Sequence, residues 1–278
     1  MAGDETENDE ATFAVVPAST PGPFVFASPH SGDLYPADMD ADPDLPTASL
    51  RSAEDALVDR LIASGPDLGA PLVIGRVGRA YLDLNRGPAD LDPSLIGGLD
   101  TPASARAQAG YGVIPRLSGD GRALYARRMD QAEARRRIET VHAPYHAALA
   151  ERLQDARRLH GRAVLVDWHS MPSQAAGGAR GVDVVLGDRH GGACDARIVR
   201  RLRTLFEFLG WRVALNQPYA GGWTTERWGR PDEGFHAIQI ELSRALYFDE
   251  SARVPGPGWS RCLRGVERVI ADLLAAPA

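Results

Sequence analysis

The sequence predicts an α/β fold with a mostly parallel, mixed sheet and helices on both of its faces. Short apolar runs of strand length recur along the chain, and longer stretches with helical periodicity separate most of them. Strands that alternate with helices usually pair in parallel, because each helix carries the chain back along the sheet. The strand candidates are residues 24–27, 72–74, 163–166, 182–186, 212–215 and 237–240.

The first third of the chain adds a loop, a helix and a segment of uncertain type. Residues 37–47 are rich in Asp and Pro and predict a loop. A helix is expected over about residues 52–63, because Gly65-Pro66 stops the preceding pattern. Residues 80–85 fit either a strand or an extended active-site segment.

The middle of the chain combines a long loop with the strongest helical pattern. Residues 87–115 carry many Gly and Pro without a clear period, and long loops in compact domains are often functional. Over residues 122–160, apolar side chains recur at near-helical spacing among Arg and Glu. Pro144 interrupts this pattern, so two helices are expected.

The C-terminal half continues the alternation of strands and helices. A helix over residues 193–209 is closed by Gly210. The Gly-rich segment 216–222 follows the next strand, and a terminal helix is expected over residues 259–274. Residues 21–278 are therefore expected to form a single α/β domain, preceded by an acidic, disordered tail at residues 1–20.

Composition excludes several functional classes. A net charge of −6 argues against a general nucleic-acid binder. No apolar stretch is long enough for a membrane span, and the N-terminus lacks signal-peptide character, so a cytoplasmic location is expected. All 31 basic residues are Arg, which excludes a catalytic Lys. Cys194 and Cys262 are too few for a disulfide framework.

Residues with metal-binding chemistry follow three of the predicted strands. His30 and Asp33 lie in Ser28-Pro29-His30-Ser31-Gly32-Asp33, His169 lies in Asp167-Trp168-His169-Ser170, and Glu241 ends the strand at 237–240. Ligands in open α/β sheets bind beyond the carboxyl ends of strands, so these residues are expected to converge. Two imidazoles and a carboxylate leave one zinc position open for water, whose proton a separate Glu can accept. The predicted metal ligands are His30, Asp33 and His169.

One Zn²⁺ ion is the expected cofactor, although nitrogen and oxygen ligands also suit Mn²⁺, Co²⁺ or Fe²⁺. Asp167 precedes His169 by two residues. Its carboxylate could orient that imidazole, or it could cap local backbone N–H groups.

Several polar residues near this predicted site favour a small anionic substrate. Arg86 follows Asn85, and an Asn–Arg pair can hold a carboxylate. Arg244 lies three residues beyond Glu241. A mobile loop that closes over a small ligand is expected to contain Tyr219, Gly221, Gly222 and Thr224.

Other sites are less well supported by the sequence. His142 and His146 have the i, i+4 spacing of a metal pair, but Pro144 lies between them and no Glu follows His142. A packing role, or a substrate contact for His146, fits better. The chain contains neither a GxSxG nucleophile motif nor a GxGxxG or GxxxxGK[ST] nucleotide motif.

Several ordered motifs resemble those of the N-formylglutamate amidohydrolase family, over about residues 23–272. They are Ser28-Pro29-His30-Ser31-Gly32, Asp83-Leu84-Asn85-Arg86, Asp167-Trp168-His169-Ser170, residues 216–222 and Ile240-Glu241-Leu242-Ser243-Arg244. The wider group to which this family is similar has the zinc carboxypeptidase-like (phosphorylase/hydrolase-like) fold of the carboxypeptidases and aspartoacylase.

The resemblance implies roles for individual residues. His30, Asp33 and His169 would be zinc ligands, and Glu241 would be the general base and acid. Asn85 and Arg86 would bind a substrate carboxylate, and Arg79 would polarise the scissile carbonyl. The implied reaction is hydrolysis of N-formyl-L-glutamate, or a similar N-acyl acidic amino acid, to formate and glutamate.

Two other functions stay open from the sequence. One is a zinc peptidase or amidase that acts on short peptides or cell-wall fragments. The other is a non-catalytic binding module with the same fold. The expected partner is a small-molecule substrate, neither nucleic acid nor membrane is expected, and the oligomeric state stays open.

Overall fold

A computed structural model describes residues 11–99, 102–178 and 181–275. Its main sheet has seven strands in the order β1-β3-β2-β4-β7-β5-β6. Two further short strands, β8 and β9, pair antiparallel. The strands are β1 (Phe13–Val16), β2 (Phe24–Ser28), β3 (Leu72–Gly75), β4 (Ala163–Met171), β5 (Val184–Gly187), β6 (Val213–Leu215), β7 (Phe235–Ser243), β8 (Phe248–Asp249) and β9 (Val254–Pro255).

Pairing in the main sheet is mixed but mostly parallel, which confirms the predicted α/β class. β2 pairs with β4, β4 with β7, and β5 with β6 in parallel, whereas β5 and β7 are antiparallel. All nine residues of β4 are buried. A strand buried on both faces is typical of the centre of a mostly parallel sheet, and its sequence is correspondingly apolar at residues 163–166.

Eight α-helices accompany the sheet in the described part of the chain. The helix α4 continues into α5 through a π-helical turn at Ile138–His142. The helices are α1 (Thr47–Leu50), α2 (Val58–Leu61), α3 (Ala105–Gln108), α4 (Gln131–Arg137), α5 (Ala143–His160), α6 (Ala196–Phe208), α7 (Trp223–Trp228) and α8 (Trp259–Leu274). None of them is both long enough and apolar enough to cross a bilayer.

The helices α6 and α8 show why this sequence folds as it does locally. Asp195 caps α6 by accepting a hydrogen bond from the Arg197 N–H. One face of α6 buries Val199, Leu202 and Phe206, and α8 packs against it with its own apolar stripe. Each fully buried side chain of this size contributes about 1.5–3 kcal/mol of transfer free energy.

The described chain divides into two compact units, where the sequence predicted one domain. The first unit contains His30–Glu54 and Ile74–Ala147, with N-terminal residues up to Ala14. The second contains Val15–Pro29, Asp55–Val73 and the residues from Ala148 onwards. Both units are assembled from segments that are far apart in sequence.

Three local predictions differ from the structure. Phe13–Val16 forms strand β1, inside the stretch expected to be a disordered tail, while residues 1–10 of that tail lie outside the described residues. The helix expected over residues 52–63 is reduced to the four residues of α2, because Leu57 before it has a left-handed backbone with φ of 66°. Residues 80–85 form turns and not a strand.

Candidate metal and catalytic site

Two histidines and an aspartate are grouped closely enough to share one metal ion. His30, Asp55 and His169 each offer one ligand atom, and these atoms all lie within 4.8 Å of one another. All three residues are buried. His30 follows β2 and His169 lies near the end of β4, and these strands pair in parallel. The two imidazoles therefore occupy neighbouring carboxyl ends of the sheet, as the sequence predicted.

A buried carboxylate lies close to the Nε2 atom of each imidazole. His30 Nε2 lies 2.7 Å from Asp83 Oδ1, and His169 Nε2 lies 3.1 Å from Asp167 Oδ2. His169 Nδ1 lies 3.1 Å from Asp55 Oδ2. Metal-binding histidines commonly donate their second ring N–H to a carboxylate, which fixes the tautomer and the ring orientation. In this arrangement Nδ1 is the ring atom that each histidine would present to a metal.

The electrostatic environment of His169 favours a positive charge. Burial by itself would lower the pKa of His169, but the charge and hydrogen bond of Asp167, with further contributions from Asp55 and Glu241, raise that pKa well above its usual value. A divalent cation supplies positive charge to the same carboxylates. The donor set and its surroundings therefore fit a cation such as Zn²⁺.

Asp55 is held in place by hydrogen-bond donors on its other oxygen. Ser170 Oγ donates to Asp55 Oδ1 at 3.0 Å, and Arg244 Nη2 lies 3.3 Å from the same atom. Arg244 Nε also donates to Ser170 Oγ at 3.1 Å. Arg244, expected from the sequence to bind substrate, is 6% exposed and lies against Asp55. In this structure its guanidinium orients the carboxylate of the candidate metal-binding group.

Asp33, which the sequence suggested as the third ligand, does not belong to this group. Its side chain is 67% exposed and lies 3.0 Å from Arg51 Nη2. The backbone before it runs close to Arg76, because a Cβ on Gly32 would lie 2.2 Å from the Arg76 carbonyl. Leu34 N–H then bonds to Arg76 O. This turn directs Asp33 towards solvent, and Asp55 is the carboxylate that lies with the two imidazoles.

Glu241 lies beside His169 on the neighbouring strand. The register of β4 and β7 pairs Asp167 with Gln239 and His169 with Glu241. Because side chains alternate along a strand, these four residues point to the same face of the sheet. Glu241 is 6% exposed, and Gln239 Nε2 donates to Glu241 Oε1 at 2.6 Å. The predicted base thus lies next to an imidazole of the candidate metal-binding group.

Asp83 contacts both the His30 ring and the predicted substrate-binding residues. Arg79 Nε lies 3.0 Å and Arg86 Nε 3.9 Å from Asp83 Oδ2, and the Asn85 N–H donates to Asp83 Oδ1 at 2.9 Å. Burial would raise the pKa of Asp83, but the positive charges of Arg79 and Arg86 and the contact with His30 hold it well below its usual range. Asp83 is therefore an ionised, buried anchor for this segment.

His142 and His146 fix the backbone of the same segment. His142 Nε2 lies 2.9 Å from the carbonyl oxygen of Arg86, and His146 Nε2 lies 2.8 Å from that of Leu84. A carbonyl oxygen only accepts hydrogen bonds, so each Nε2 carries the proton. The two rings lie 4.3 Å apart between centroids. The pair acts as a support for residues 84–86, which agrees with the packing role preferred from the sequence.

The segment expected to form a mobile loop is partly built into the core. Tyr219 packs against Met171, Ala176 and Val185, and Thr224 is buried within α7. The segment also approaches β5 closely, since a Cβ on Gly187 would lie 2.6 Å from Gly221 N. Closure of this loop over a ligand stays a prediction.

The comparisons with known proteins agree with this arrangement. The model of the family described as N-formylglutamate amidohydrolase matches residues 22–248. The chain belongs to the N-formylglutamate amidohydrolase family. It is 32% identical over 235 residues to an N-formylglutamate deformylase of Pseudomonas aeruginosa, covering 83% of this chain and 84% of the relative. The match to a Pseudomonas putida protein of the same name is 30% over 234 residues, covering 82% and 83%.

A solved structure supports membership of the N-formylglutamate amidohydrolase family independently. The crystal structure of N-formylglutamate amidohydrolase from Ralstonia eutropha JMP134 superposes with a TM-score of 0.89 at 33% identity, covering 95% of this chain and 97% of that chain. A gene product from Agrobacterium tumefaciens, at 21% identity and a TM-score of 0.68, shares the fold. The resemblance found in the sequence motifs is confirmed, and the chain is an amidohydrolase.

Three residues of this N-formylglutamate amidohydrolase site were not assigned a role from the sequence. Asp55 lies in a stretch expected to be helical. Asp83 and Gln239 each lie two residues before a residue that was assigned a role, Asn85 and Glu241. The sequence shows only an adjacent acidic pair, Glu54-Asp55, inside the predicted helix. The structure buries both carboxylates almost fully, and buried carboxylates need charged or hydrogen-bonding partners.

Proposed function

We propose that this chain is a metal-dependent enzyme that hydrolyses the amide bond of N-formyl-L-glutamate, or a similar N-acyl acidic amino acid, to formate and L-glutamate. The observation that carries the proposal is the buried group of His30, Asp55 and His169, whose ligand atoms lie within 4.8 Å of one another. Family membership adds the substrate class, since the relatives are named for N-formylglutamate.

His30 Nδ1, His169 Nδ1 and a carboxylate oxygen of Asp55 would hold the metal ion. Ligands about 2 Å from one ion lie at most about 4 Å apart, so small side-chain movements suffice to bring these atoms to it. Two nitrogen ligands and one oxygen ligand leave a fourth position open. A bound Zn²⁺ supplies Lewis acidity, which lowers the pKa of a water towards about 7 and polarises a carbonyl.

Glu241 would move the proton. Its carboxylate lies beside His169 and is held by the Gln239 amide at 2.6 Å. The ionised carboxylate accepts the proton of the attacking water and then delivers it to the leaving amine nitrogen. Because Glu241 is buried, it does so with little competition from bulk water.

Asn85, Arg86 and Arg79 would bind and orient the substrate. Asp83 gathers all three close to the His30 ring. A guanidinium can bind a carboxylate with two parallel hydrogen bonds, which sets the position of the attached amide. We assign the substrate carboxylates to Asn85 and Arg86 and the scissile carbonyl to Arg79. We also assign substrate contacts to Tyr219, Gly221, Gly222 and Thr224, and Arg244 acts through Asp55.

Release of the free amine from a panel of substrates, with formate measured for the formyl compounds, tests the proposal. The panel contains N-formyl-L-glutamate, N-formyl-L-aspartate, N-acetyl-L-glutamate and a short peptide, each with and without chelator. We expect rapid formate release from the formyl acidic amino acids, loss of activity with chelator, and recovery when Zn²⁺ is returned. Hydrolysis of the peptide alone would support a zinc peptidase and contradict this proposal.

The role of Glu241 has its own test. Glu241→Gln is expected to keep its metal and to lose turnover by about 10²- to 10⁴-fold, which is the usual contribution of a general base. Glu267→Gln, on the exposed face of α8, is the matched control and should behave as wild type. Near-normal turnover in Glu241→Gln would exclude the carboxylate as the base.

A further inference from the structure

We propose that Gln239 is a positioning residue, which holds the Glu241 carboxylate in its working orientation and joins it to the backbone at Gly222. The inference rests on the proposed function, because it concerns the same general base. Gln239 lies on β7 two residues before Glu241 and is 5% exposed. Residues two apart on a strand point to the same face, so the two side chains are neighbours.

The polarity of the Gln239 amide follows from its contacts. The Gly222 N–H donates to Gln239 Oε1 at 2.7 Å. A backbone N–H can only donate, so the amide atom facing Gly222 must be the oxygen. The opposite end of the side chain must then be the NH₂ group, and it lies 2.6 Å from Glu241 Oε1. The backbone of Gly222 thus ensures that Gln239 presents a donor to the carboxylate.

Gly187 provides the space that allows this contact. In the antiparallel pair of β5 and β7, Gly187 lies directly opposite Gln239. Its missing side chain leaves room for residues 220–221, because a Cβ there would lie 2.7 Å from the Ala220 carbonyl carbon and 2.6 Å from Gly221 N. Residues 220–221, before α7, therefore lie close to the sheet beside Gln239. The N–H of the next residue, Gly222, then reaches the side-chain oxygen of Gln239.

This arrangement links two functional parts of the proposed site. Hydrogen bonds to an ionised carboxylate are shorter and stronger than those between neutral groups, so the Gln239 NH₂ restrains the rotation of Glu241. The other end of the same amide restrains Gly222, the N-cap residue directly before α7, which lies in the segment expected to cover the substrate. Gln239 therefore aligns the base with the segment that positions the substrate.

Two substitutions separate positioning from simple packing. Gln239→Met keeps the length of the side chain but removes both hydrogen bonds. Gln239→Glu is isosteric and can still accept the Gly222 N–H, but in its ionised form it places an acceptor against Glu241. The matched control is Gln154→Met, because Gln154 is exposed on α5. For each protein, kcat, KM, metal content and melting temperature are measured with the substrate that wild type hydrolyses.

We expect both variants to fold, to keep their metal and to leave KM within about 3-fold, while kcat falls about 10- to 100-fold, as for a misplaced catalytic group. Gln239→Glu should be the more impaired at neutral pH, because it also brings two carboxylates together. If Gln239→Met fails to fold, the isosteric Gln239→Glu decides the question by the same criteria.

The inference can fail while the proposed function stands. If Glu241→Gln is inactive but Gln239→Met and Gln239→Glu keep wild-type kcat, Gln239 does not position the base. A rise in KM of about 10- to 100-fold with an unchanged kcat would assign Gln239 to substrate binding and would also overturn the inference. Loss of the proposed function itself would instead appear as no formate release by wild type.

Discussion

Asp55 and Asp33 are the two candidates for the carboxylate ligand of the metal ion, and their surroundings distinguish them. Asp55 is buried, lies 3.1 Å from His169 Nδ1 and is held by Ser170 and Arg244. Asp33 is mostly exposed and pairs with Arg51. A metal ligand needs a fixed position and protection from water, and only the first residue has both.

Asp55→Asn and Asp33→Asn test this assignment directly. We expect Asp55→Asn to be purified with less than about a tenth of the metal of wild type, because the loss of a ligand should cost at least the 10- to 100-fold in affinity seen for outer partners. Asp33→Asn should retain full metal content and activity within about 2-fold, as expected for an exposed position. The measurement is elemental analysis of the two proteins after identical dialysis. The reverse pattern would return the ligand role to Asp33.

The difference between these two residues shows what the sequence can reveal about a site. His30, His169 and Glu241 could be found because each lies at or close to the end of an apolar run, and strand ends share one edge of a parallel sheet. Asp55 lies between elements, in irregular chain before α2. Hydrophobic periodicity carries no information about the direction of such a side chain. Asp33 was assigned as the ligand because it lies three residues after His30, in an HxxD pattern.

At the scale of elements, the junction of α4 and α5 is the feature with the clearest functional consequence. The two helices expected around Pro144 are present as α4 and α5, and the turn that joins them is itself helical. The Ala143 N–H bonds to Ile138 O, five residues back, in a π-helical turn. Pro lacks an N–H and clashes with the carbonyl four residues earlier in an α-helix, and a wider turn relieves both problems. The turn also places His142 and His146 against residues 84–86.

Removal of these imidazoles should weaken substrate binding more than catalysis. His142→Ala and His146→Ala each leave a backbone carbonyl beside Asn85 or Arg86 without its imidazole donor. We expect KM to rise about 5- to 20-fold, since a lost hydrogen bond of about 1–2 kcal/mol loosens the segment, while metal content is unchanged. Steady-state kinetics with His190→Ala, an exposed site, as the control measures this. Loss of metal without a change in KM would instead favour the metal-pair interpretation.

The N-terminus of α6 offers a stability test with a defined pH dependence. Asp195 accepts a hydrogen bond from the Arg197 N–H at 2.7 Å. The hydrogen bonds of the Arg197 side chain and backbone hold the pKa of Asp195 well below its usual value. A lowered pKa in the folded state means that the ionised carboxylate stabilises the fold above the unfolded pKa of about 3.9, and this stabilisation is lost as pH falls towards the folded value.

Two substitutions of Asp195 separate capping from charge. Asp195→Ala removes the cap and should cost about 1 kcal/mol, whereas Asp195→Asn keeps a good capping residue. The free energy of unfolding from urea titrations should therefore fall in the order wild type, Asn, Ala at pH 7. The gap between wild type and Asn should narrow below about pH 4, where the unfolded carboxyl is protonated. A gap that is constant between pH 7 and pH 3 would contradict the charge effect.

At the scale of the whole molecule, the sequence predicted the strands of the main sheet. Each predicted strand corresponds to an observed one, because a run such as Val164–Val166 is apolar throughout and bounded by polar residues. β1 was missed, since Phe13–Val16 is short, partly exposed and follows an acidic stretch. The single domain expected from the sequence stays a prediction beside the two compact units of the described chain. Each is made of three separate segments, and local periodicity does not report pairings between such segments.

Metal binding should also be visible as a change in the stability of the whole protein. A ligand that binds the folded state and not the unfolded state stabilises by RT ln(1 + [L]/Kd), or about 2.7 kcal/mol when the free metal is 100 times Kd. For a chain of this size that corresponds to a rise in melting temperature of roughly 5–10 °C. Chelator-treated protein, titrated with Zn²⁺, Mn²⁺, Co²⁺ or Fe²⁺, should show this rise in scanning calorimetry. His169→Ala should respond to none of the four ions, whereas His160→Ala, at the exposed end of α5, should respond as wild type does. A rise in the melting temperature of His169→Ala equal to that of wild type would place the ion elsewhere. The order of the four ions in wild type would identify the metal that the two imidazoles and the Asp55 carboxylate prefer.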